Sequence, residues 1–246
     1  MNTINSFKKG LKDGLPICIG YFPVSFAFGI FAVENGLTVL QAFLISLTNL
    51  TSAGQLAAVP IIAGGGTLIE LAVSQLVINS RYSLMSVSLG QKLSSMVKLF
   101  ERFAIAFGNT DEIFAVSVSN DGEVGSKYMY GVIALPVIGW TSGTLLGAIA
   151  GNILPPIISA ALGVAIYGMF IAIVVPVAKK EKMTALCVIL AIALSCAFKY
   201  VPFLQSVPSG FVVIICAVVS SLIFAIIAPV KTDDTQSPDK EEKHNG

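Results

Sequence analysis

The chain has 246 residues, 55% of them hydrophobic and 12% charged, with a formal net charge of +1. Soluble domains carry about 25% charged residues, so this composition, with its long apolar runs, indicates a polytopic helical membrane protein. The near-zero charge excludes a basic nucleic-acid-binding surface. The one histidine, His244, lies in the polar tail, which excludes an intramembrane histidine as base, relay or metal ligand.

Lys8, Lys9 and Lys12 precede the first apolar run, residues 14–33. That run is longer than a signal-peptide core and contains Pro16 and Pro23. It lacks a small-residue cleavage pattern before Glu34, so it reads as a retained first span. Gly20-Tyr21-Phe22-Pro23 predicts a bend or local unwinding, because proline removes a backbone donor. The next stretch, 37–62, is interrupted by Asn49-Leu50-Thr51-Ser52-Ala53-Gly54-Gln55. Ser52 and Gln55 have the spacing of a capping box. A helix that starts at membrane depth offers free N–H groups and a positive dipole end to an anionic group. Asn49, Ser52, Ala53, Gly54 and Gln55 are therefore candidate binding residues.

Residues 67–89 can span the bilayer but are unusually polar. At roughly 100° per residue, Glu70, Ser74 and Arg81 share one stripe, and Gln75, Asn79, Tyr82 and Ser86 another. Two polar stripes place this helix inside the bundle. An arginine at mid-span costs about 2.5–3.5 kcal/mol on insertion scales. Arg81 thus needs a partner or a wet cavity, unless it lies near the interface and snorkels. Residues 91–102, with Lys92, Lys98 and Arg102, read as a cytoplasmic amphipathic connector.

A second break, Gly108-Asn109-Thr110-Asp111-Glu112, cuts residues 103–119 and carries acids where a helix would start. Neither side of it is long enough to span, so a re-entrant or broken element is expected. Residues 128–151 form a clear span, with Pro136 as a candidate kink. Gly139, Gly143, Gly147 and Gly151 recur every fourth residue and leave one face bare for close helix contact. That contact is with another helix of this chain or of a partner. Further spans are expected at 157–178, 185–200 and 210–230, and a disordered cytoplasmic tail at 231–246.

The fold class that follows is an all-α integral membrane protein forming one domain, residues 1–230. With the N-terminus inside, about six full spans and two re-entrant segments place every basic loop and both termini in the cytoplasm. Letting both broken segments cross makes about eight spans and puts Lys92, Lys98 and Arg102 outside, against that rule.

Enzyme readings fare poorly. The glycine-rich stretches beginning at Gly64 and Gly122 fail phosphate-loop spacing, and no GxSxG has an intramembrane base beside it. The four cysteines (Cys18, Cys187, Cys196, Cys216) stand singly without a CxxC and read as small buried hydrophobes. No cofactor or metal is expected. What remains is an inventory of polar groups in an apolar bundle. Arg81 is positive, Asp111, Glu112 and Glu70 are negative, and Asn49, Gln55 and Asn79 are neutral. A zwitterion with an apolar side chain matches this set. A desolvated carboxyl at Asp111 or Glu112, with Glu70 a further candidate, would suit a coupling proton. The alternative is that these acids only pair with Arg81 and hold the fold. Gly20, Pro23 and Gly108 are candidate hinges.

The same residues carry a family resemblance. Gly14-Leu-Pro-Ile, Gly20-Tyr-x-Pro-x-Ser-Phe-Ala-Phe-Gly, Thr51-Ser-Ala-Gly-Gln, Asn79-x-Arg-Tyr-x-Leu-Met and Thr110-Asp-Glu resemble the AzlC family. These are large subunits of bacterial azaleucine-resistance exporters. The resemblance covers residues 10–230, with its specific motifs in the first half. It implies a bacterial inner-membrane location and export of leucine, isoleucine and valine, with methionine as a further candidate. It also implies a small hydrophobic AzlD-type partner and, more loosely, coupling to the proton-motive force.

Overall fold

The computed structural model describes residues 3–155 and 174–227, together with Ile157, Gly168 and Ile171. The helices along it are α1 (Phe7–Glu34), α2 (Val39–Thr48), α3 (Ala53–Ala63), α4 (Leu68–Lys92), α5 (Leu99–Phe107), α6 (Asp111–Val118), α7 (Ser126–Gly151), α8 (Lys182–Tyr200) and α9 (Ser209–Ile227). Residues 174–180 are helical as well. Among the described residues α1, α7, α8 and Gly210–Ile227 are long and apolar enough to cross a membrane. α4 has 25 residues and carries the two polar stripes. The span expected at 157–178 lies mostly outside the described residues, and the tail 231–246 lies wholly outside them.

The principal contact joins α1 and α7. Gly139 faces Cys18, Gly143 faces Phe22 and Ser25, Gly147 faces Phe26, and Gly151 faces Ile30 and Val33. Both chains advance together through these contacts, so the helices run parallel. A Cβ on Gly143 would stand 2.6 Å from the Phe22 carbonyl oxygen, and one on Gly139 would stand 2.9 Å from that of Cys18. Backbone cannot yield as a side-chain tip can, so these positions require glycine for the helices to touch. The bare face expected to meet a helix of this chain or of a partner is thus filled from within the chain.

A short parallel ladder ties the leading ends of these two helices. Strand β1 (Thr3–Ile4) pairs with β2 (Glu123–Val124), and Ser94 N–H donates to the Val124 carbonyl at 3.0 Å. The chain entering α5 and the chain leaving α6 therefore meet at one end of the bundle, so α5–α6 enters and returns from that end. α2–α3 does the same from the other end. It follows the far end of α1, and its Ser46 and Gln55 reach α7 only as deep as Thr144 and Trp140. α3 then turns back beside α4, whose Gln75 donates to the Gly54 carbonyl at 2.9 Å. Each broken segment is a helical hairpin whose two ends lie at the same end of the bundle.

The helix starts follow local chemistry. Ser6 accepts from Lys9 N–H to open α1. Thr38 and Gln41 close a capping box on α2, and Thr67 accepts from Glu70 N–H to open α4. The local unwinding expected around Pro23 does not occur. α1 stays helical without interruption through Gly20, Phe22 and Pro23, so Gly20 and Pro23 are not a break. The helix is held along its length against α7, and membrane helices tolerate proline where neighbours re-satisfy the backbone. Ser25 Oγ donates to the Phe22 carbonyl at 3.0 Å in the turn around the proline.

Two apolar cores flank the middle of the bundle. Leu89, Ile105, Ile113, Val124, Tyr128 and Met129 pack near the ladder. Phe28, Ala32, Leu37, Val59 and Ala148 pack towards the opposite end. The candidate site lies between them.

Candidate functional site: a charged cavity between two helix breaks

A cavity of about 870 Å³ opens at mid-bundle. This is within the size range of small-molecule sites, roughly 300–1,000 Å³. α1 supplies an apolar wall of Pro16, Ile17 and Val24, with Gly20 and Tyr21 between them. The first break contributes Leu50, Ser52 and Ala53, and Trp140 of α7 closes one side. The charged wall comes from Arg81 and Tyr82 of α4 and from Thr110, Asp111 and Glu112 at the second break. The starts of α3 and α6 both line the cavity, so two positive dipole ends face one space.

Arg81 Nη1 pairs with the Asp111 carboxylate at 2.7 Å. The two side chains remain 50% and 43% exposed, so the pair sits in the open cavity rather than in a dry core. Arg81 Nη2 donates to Tyr82 Oη at 3.2 Å, and the guanidinium lies 4.8 Å from the Tyr82 ring centre. A planar five-donor group bound at one corner keeps donors free for a second anion. Glu112 accepts a hydrogen bond from the Tyr21 hydroxyl. Thr110 Oγ1 lies 2.7 Å from the same hydroxyl. Because Tyr21 has one proton and the carboxylate is the stronger acceptor, Thr110 serves as donor to Tyr21.

The capping box expected at Ser52 and Gln55 does not form. Ser52 makes no side-chain bond to α3, and its hydroxyl is buried without a partner. Its φ of 44° makes it the only non-glycine residue with positive φ among the described residues. A cap needs an extended residue to swing its hydroxyl over the helix start, and this backbone is not extended. Gln55 is fully buried, and satisfying both ends of its amide outweighs capping. Its Oε1 accepts from Trp140 Nε1 at 2.9 Å and its Nε2 donates to Ser46 Oγ at 2.8 Å. Ser46 Oγ in turn lies 2.7 Å from Thr144 Oγ1. This buried chain pins the first break to α7 and sets the Trp140 ring, against which the Tyr21 ring packs edge-on at 5.2 Å.

Of the residues expected at the site, Ser52, Ala53, Arg81, Asp111, Glu112 and Gly20 line the cavity. Asn49, Gly54, Gln55 and Asn79 stand behind it. Asn49 Oδ1 accepts from Thr51 N–H at 3.2 Å, and Asn79 Nδ2 donates to Gln75 Oε1 at 3.1 Å. Gly54 lacks room for a Cβ because Gln75 Oε1 and Asn79 Nδ2 close on it. Gly108 ends α5, with the Ile133 side chain against it. Glu70 does not join the acid pair. It is buried and its Oε1 accepts from Gly210 N–H at 2.8 Å, capping the start of α9. Sequence reasoning passed over Tyr21, Gln75, Trp140, Ser46 and Thr144 as site residues. Two carried a signal: Trp140 is the single tryptophan of the chain, and Tyr21 lies inside the Gly-Tyr-x-Pro motif.

Residues 16–154 match the family model described as AzlC protein. This chain belongs to the AzlC family. The stretch matched to AzlC begins at Pro16 and ends beyond Trp140, so it contains every residue lining the cavity. Inner membrane protein YgaZ of Escherichia coli K12 is 30% identical over 194 residues, covering 76% of this chain and 78% of that protein. An uncharacterized membrane protein of Archaeoglobus fulgidus is 33% identical over 181 residues, covering 73% of this chain and 79% of its own. No solved structure matches. The AzlC-family assignment and the apolar helices together make this a helical membrane protein with a role connected to transport across the membrane.

Proposed function

We propose that this AzlC-family protein is a secondary transporter that exports branched-chain amino acids, leucine, isoleucine and valine with methionine as a further substrate, from the bacterial cytoplasm. The observation that carries the reading is the Arg81–Asp111 pair, half exposed inside an apolar cavity between two helix breaks. A zwitterion splits such a pair without leaving a charge bare. Its carboxylate takes the free donors of Arg81 and the adjacent helix start, and its ammonium takes Asp111. An aliphatic side chain then lies against Ile17, Val24, Leu50 and Trp140, where each buried methylene contributes about 0.8 kcal/mol. Glu112, held by Tyr21, is the coupling carboxylate, exchanging a proton with the cavity as the cycle turns. The solute leaves unmodified, so the protein is not an enzyme. A small hydrophobic AzlD-type subunit completes the exporter in the inner membrane, with both termini in the cytoplasm. The subunit and the inner membrane rest on the family resemblance, and the cytoplasmic termini on the placement of the basic loops.

A second reading draws on the same ion pair. Arg81 and Asp111 already satisfy one another, as they would in a scaffold subunit whose charges only hold helices together. Proteoliposomes holding the purified protein, with and without the small subunit, separate the two readings. Labelled leucine and valine should move when a pH gradient is imposed, and an uncoupler should abolish the movement. Absence of flux under both conditions, with leucine-analogue tolerance unchanged in a deletion strain, would overturn the exporter reading. Flux of another small solute alone would make it a different carrier or a channel.

A further inference from the structure

The backbone contact between α1 and α7 has a second consequence at the ladder end of the bundle. A Cβ on Gly10 would stand 2.8 Å from Val132 N, and one on Gly131 would stand 3.0 Å from the Gly10 Cα. Two helices this close leave a groove beside their seam, between the side chains that each projects outwards. On one flank that groove is lined by Leu11 and Leu15 of α1 and Leu135 of α7, with Lys8, Lys9 and Lys12 around its mouth. Lys8, Leu11, Lys12 and Leu15 follow the spacing of one helix face. Along α1 the two residue types interleave, with Lys8 nearest the end of the bundle and Leu15 deepest.

The charges at the mouth are not equivalent. Lys9 Nζ is taken by Asp13 at 2.6 Å and by Asn120 Oδ1 at 3.0 Å. Asp13 is further held by the Tyr128 hydroxyl at 3.0 Å. Lys8 and Lys12 have no hydrogen bond or ion pair to any described residue and are exposed. Two exposed ammonium groups without a hydrogen-bonded partner among the described residues, Lys12 also within the field of Asp13, therefore stand beside an apolar strip at the end of a long apolar helix.

We infer that this groove between α1 and α7 binds an anionic glycerophospholipid, with its phosphate between Lys8 and Lys12 and an acyl chain along Leu11, Leu15 and Leu135. Charge complementarity selects the headgroup, since a zwitterionic lipid brings its own cation to the lysines. The leucine trough selects a lipid over a soluble phosphate, because only an acyl chain covers it. The bound lipid splints the lower part of α1, one residue before Pro16 and Ile17 enter the wall of the central cavity.

Thermal unfolding of the full-length protein in nanodiscs tests this. The comparison is phosphatidylcholine alone against phosphatidylcholine doped with phosphatidylglycerol, for wild type, K8Q/K12Q and K98Q. K98Q removes a lysine of the same sign away from the groove. Phosphatidylglycerol should raise the Tm of wild type and K98Q, and K8Q/K12Q should lose most of that rise while matching wild type in phosphatidylcholine. A full rise in K8Q/K12Q overturns the site, as does an equal loss in K98Q, which would mean diffuse surface attraction. Soluble glycerol 3-phosphate should leave the Tm unchanged, and a rise matching that of the lipid would overturn the acyl-chain part. If K8Q/K12Q is already destabilised in phosphatidylcholine, native mass spectrometry of phosphatidylglycerol retention on the folded fraction decides. Retention equal to wild type refutes the inference.

Discussion

Neutralising Arg81 and Asp111, singly and together, separates binding from scaffolding. The pair is close at 2.7 Å but half exposed, and ion pairs in such surroundings contribute about 0–1 kcal/mol to stability. Arg81→Gln or Asp111→Asn should therefore cost less than about 1 kcal/mol in an unfolding assay. Transport should respond far more. A hydrogen bond between charged groups is worth about 1.5–3 kcal/mol, which converts to a roughly 10- to 150-fold rise in the leucine concentration giving half-maximal flux. The double variant decides between the readings. If the two residues serve only each other, removing both leaves no orphan charge, and function should recover towards wild type. If each holds one end of a zwitterion, the double variant should be worse than either single one. Leucine counterflow in proteoliposomes, read beside thermal unfolding of the same preparations, measures both quantities. Unchanged leucine affinity in Arg81→Gln refutes the substrate assignment, and a restored double variant refutes it as firmly.

Gly147→Leu drives a side chain into the Phe26 backbone. Overpacking costs typically about 1–3 kcal/mol, and the upper end is expected because backbone opposes it. Unaltered thermal stability would mean that α1 and α7 do not touch there. Ser52→Gly should stabilise by about 1–3 kcal/mol, the usual cost of a residue held in a sparse backbone region, while Ser52→Ala should not. Equal melting temperatures for wild type and Ser52→Gly would show that Ser52 carries no strain. Trp140→Phe keeps an aromatic ring but loses the indole N–H and strands the buried Gln55 Oε1, at a cost of about 1–3 kcal/mol. A Trp140→Phe protein as stable as wild type would show that the bond to Gln55 contributes nothing.

Features that depend on chain-local chemistry were legible in the sequence. The apolar first span, the interruption at residues 49–55, the second start at Asp111 and the glycine register of α7 all announce themselves through neighbours three or four residues apart. So did the need of Arg81 for a partner or a wet cavity, and Asp111 is that partner, on the wall of a cavity. The errors share one cause. Ser52-x-x-Gln55 has the spacing of a cap, yet the Gln55 amide is better satisfied by Ser46 and Trp140. Pro23 breaks an isolated helix, yet α1 is braced by α7 through that turn. Glu70 shares a stripe with Arg81, but that stripe passes from one end of the bundle to its middle, so the two meet different neighbours.

The sequence by itself determined that the chain is a helical membrane protein, where its two polar breaks at residues 49–55 and 108–112 lie, and which charges are too costly to leave unpaired in lipid. Hydropathy, glycine spacing and turn chemistry are properties of short segments, and the bilayer makes their energetic penalties large. Only the tertiary structure decided that Asp111, rather than Glu70, answers Arg81. It likewise decided that Tyr21 and Trp140 join the two breaks, and that the glycine face is filled by α1. Those pairings lie 30 to more than 100 residues apart. They follow from the order in which two helical hairpins fold back against two parallel helices, which no local pattern encodes.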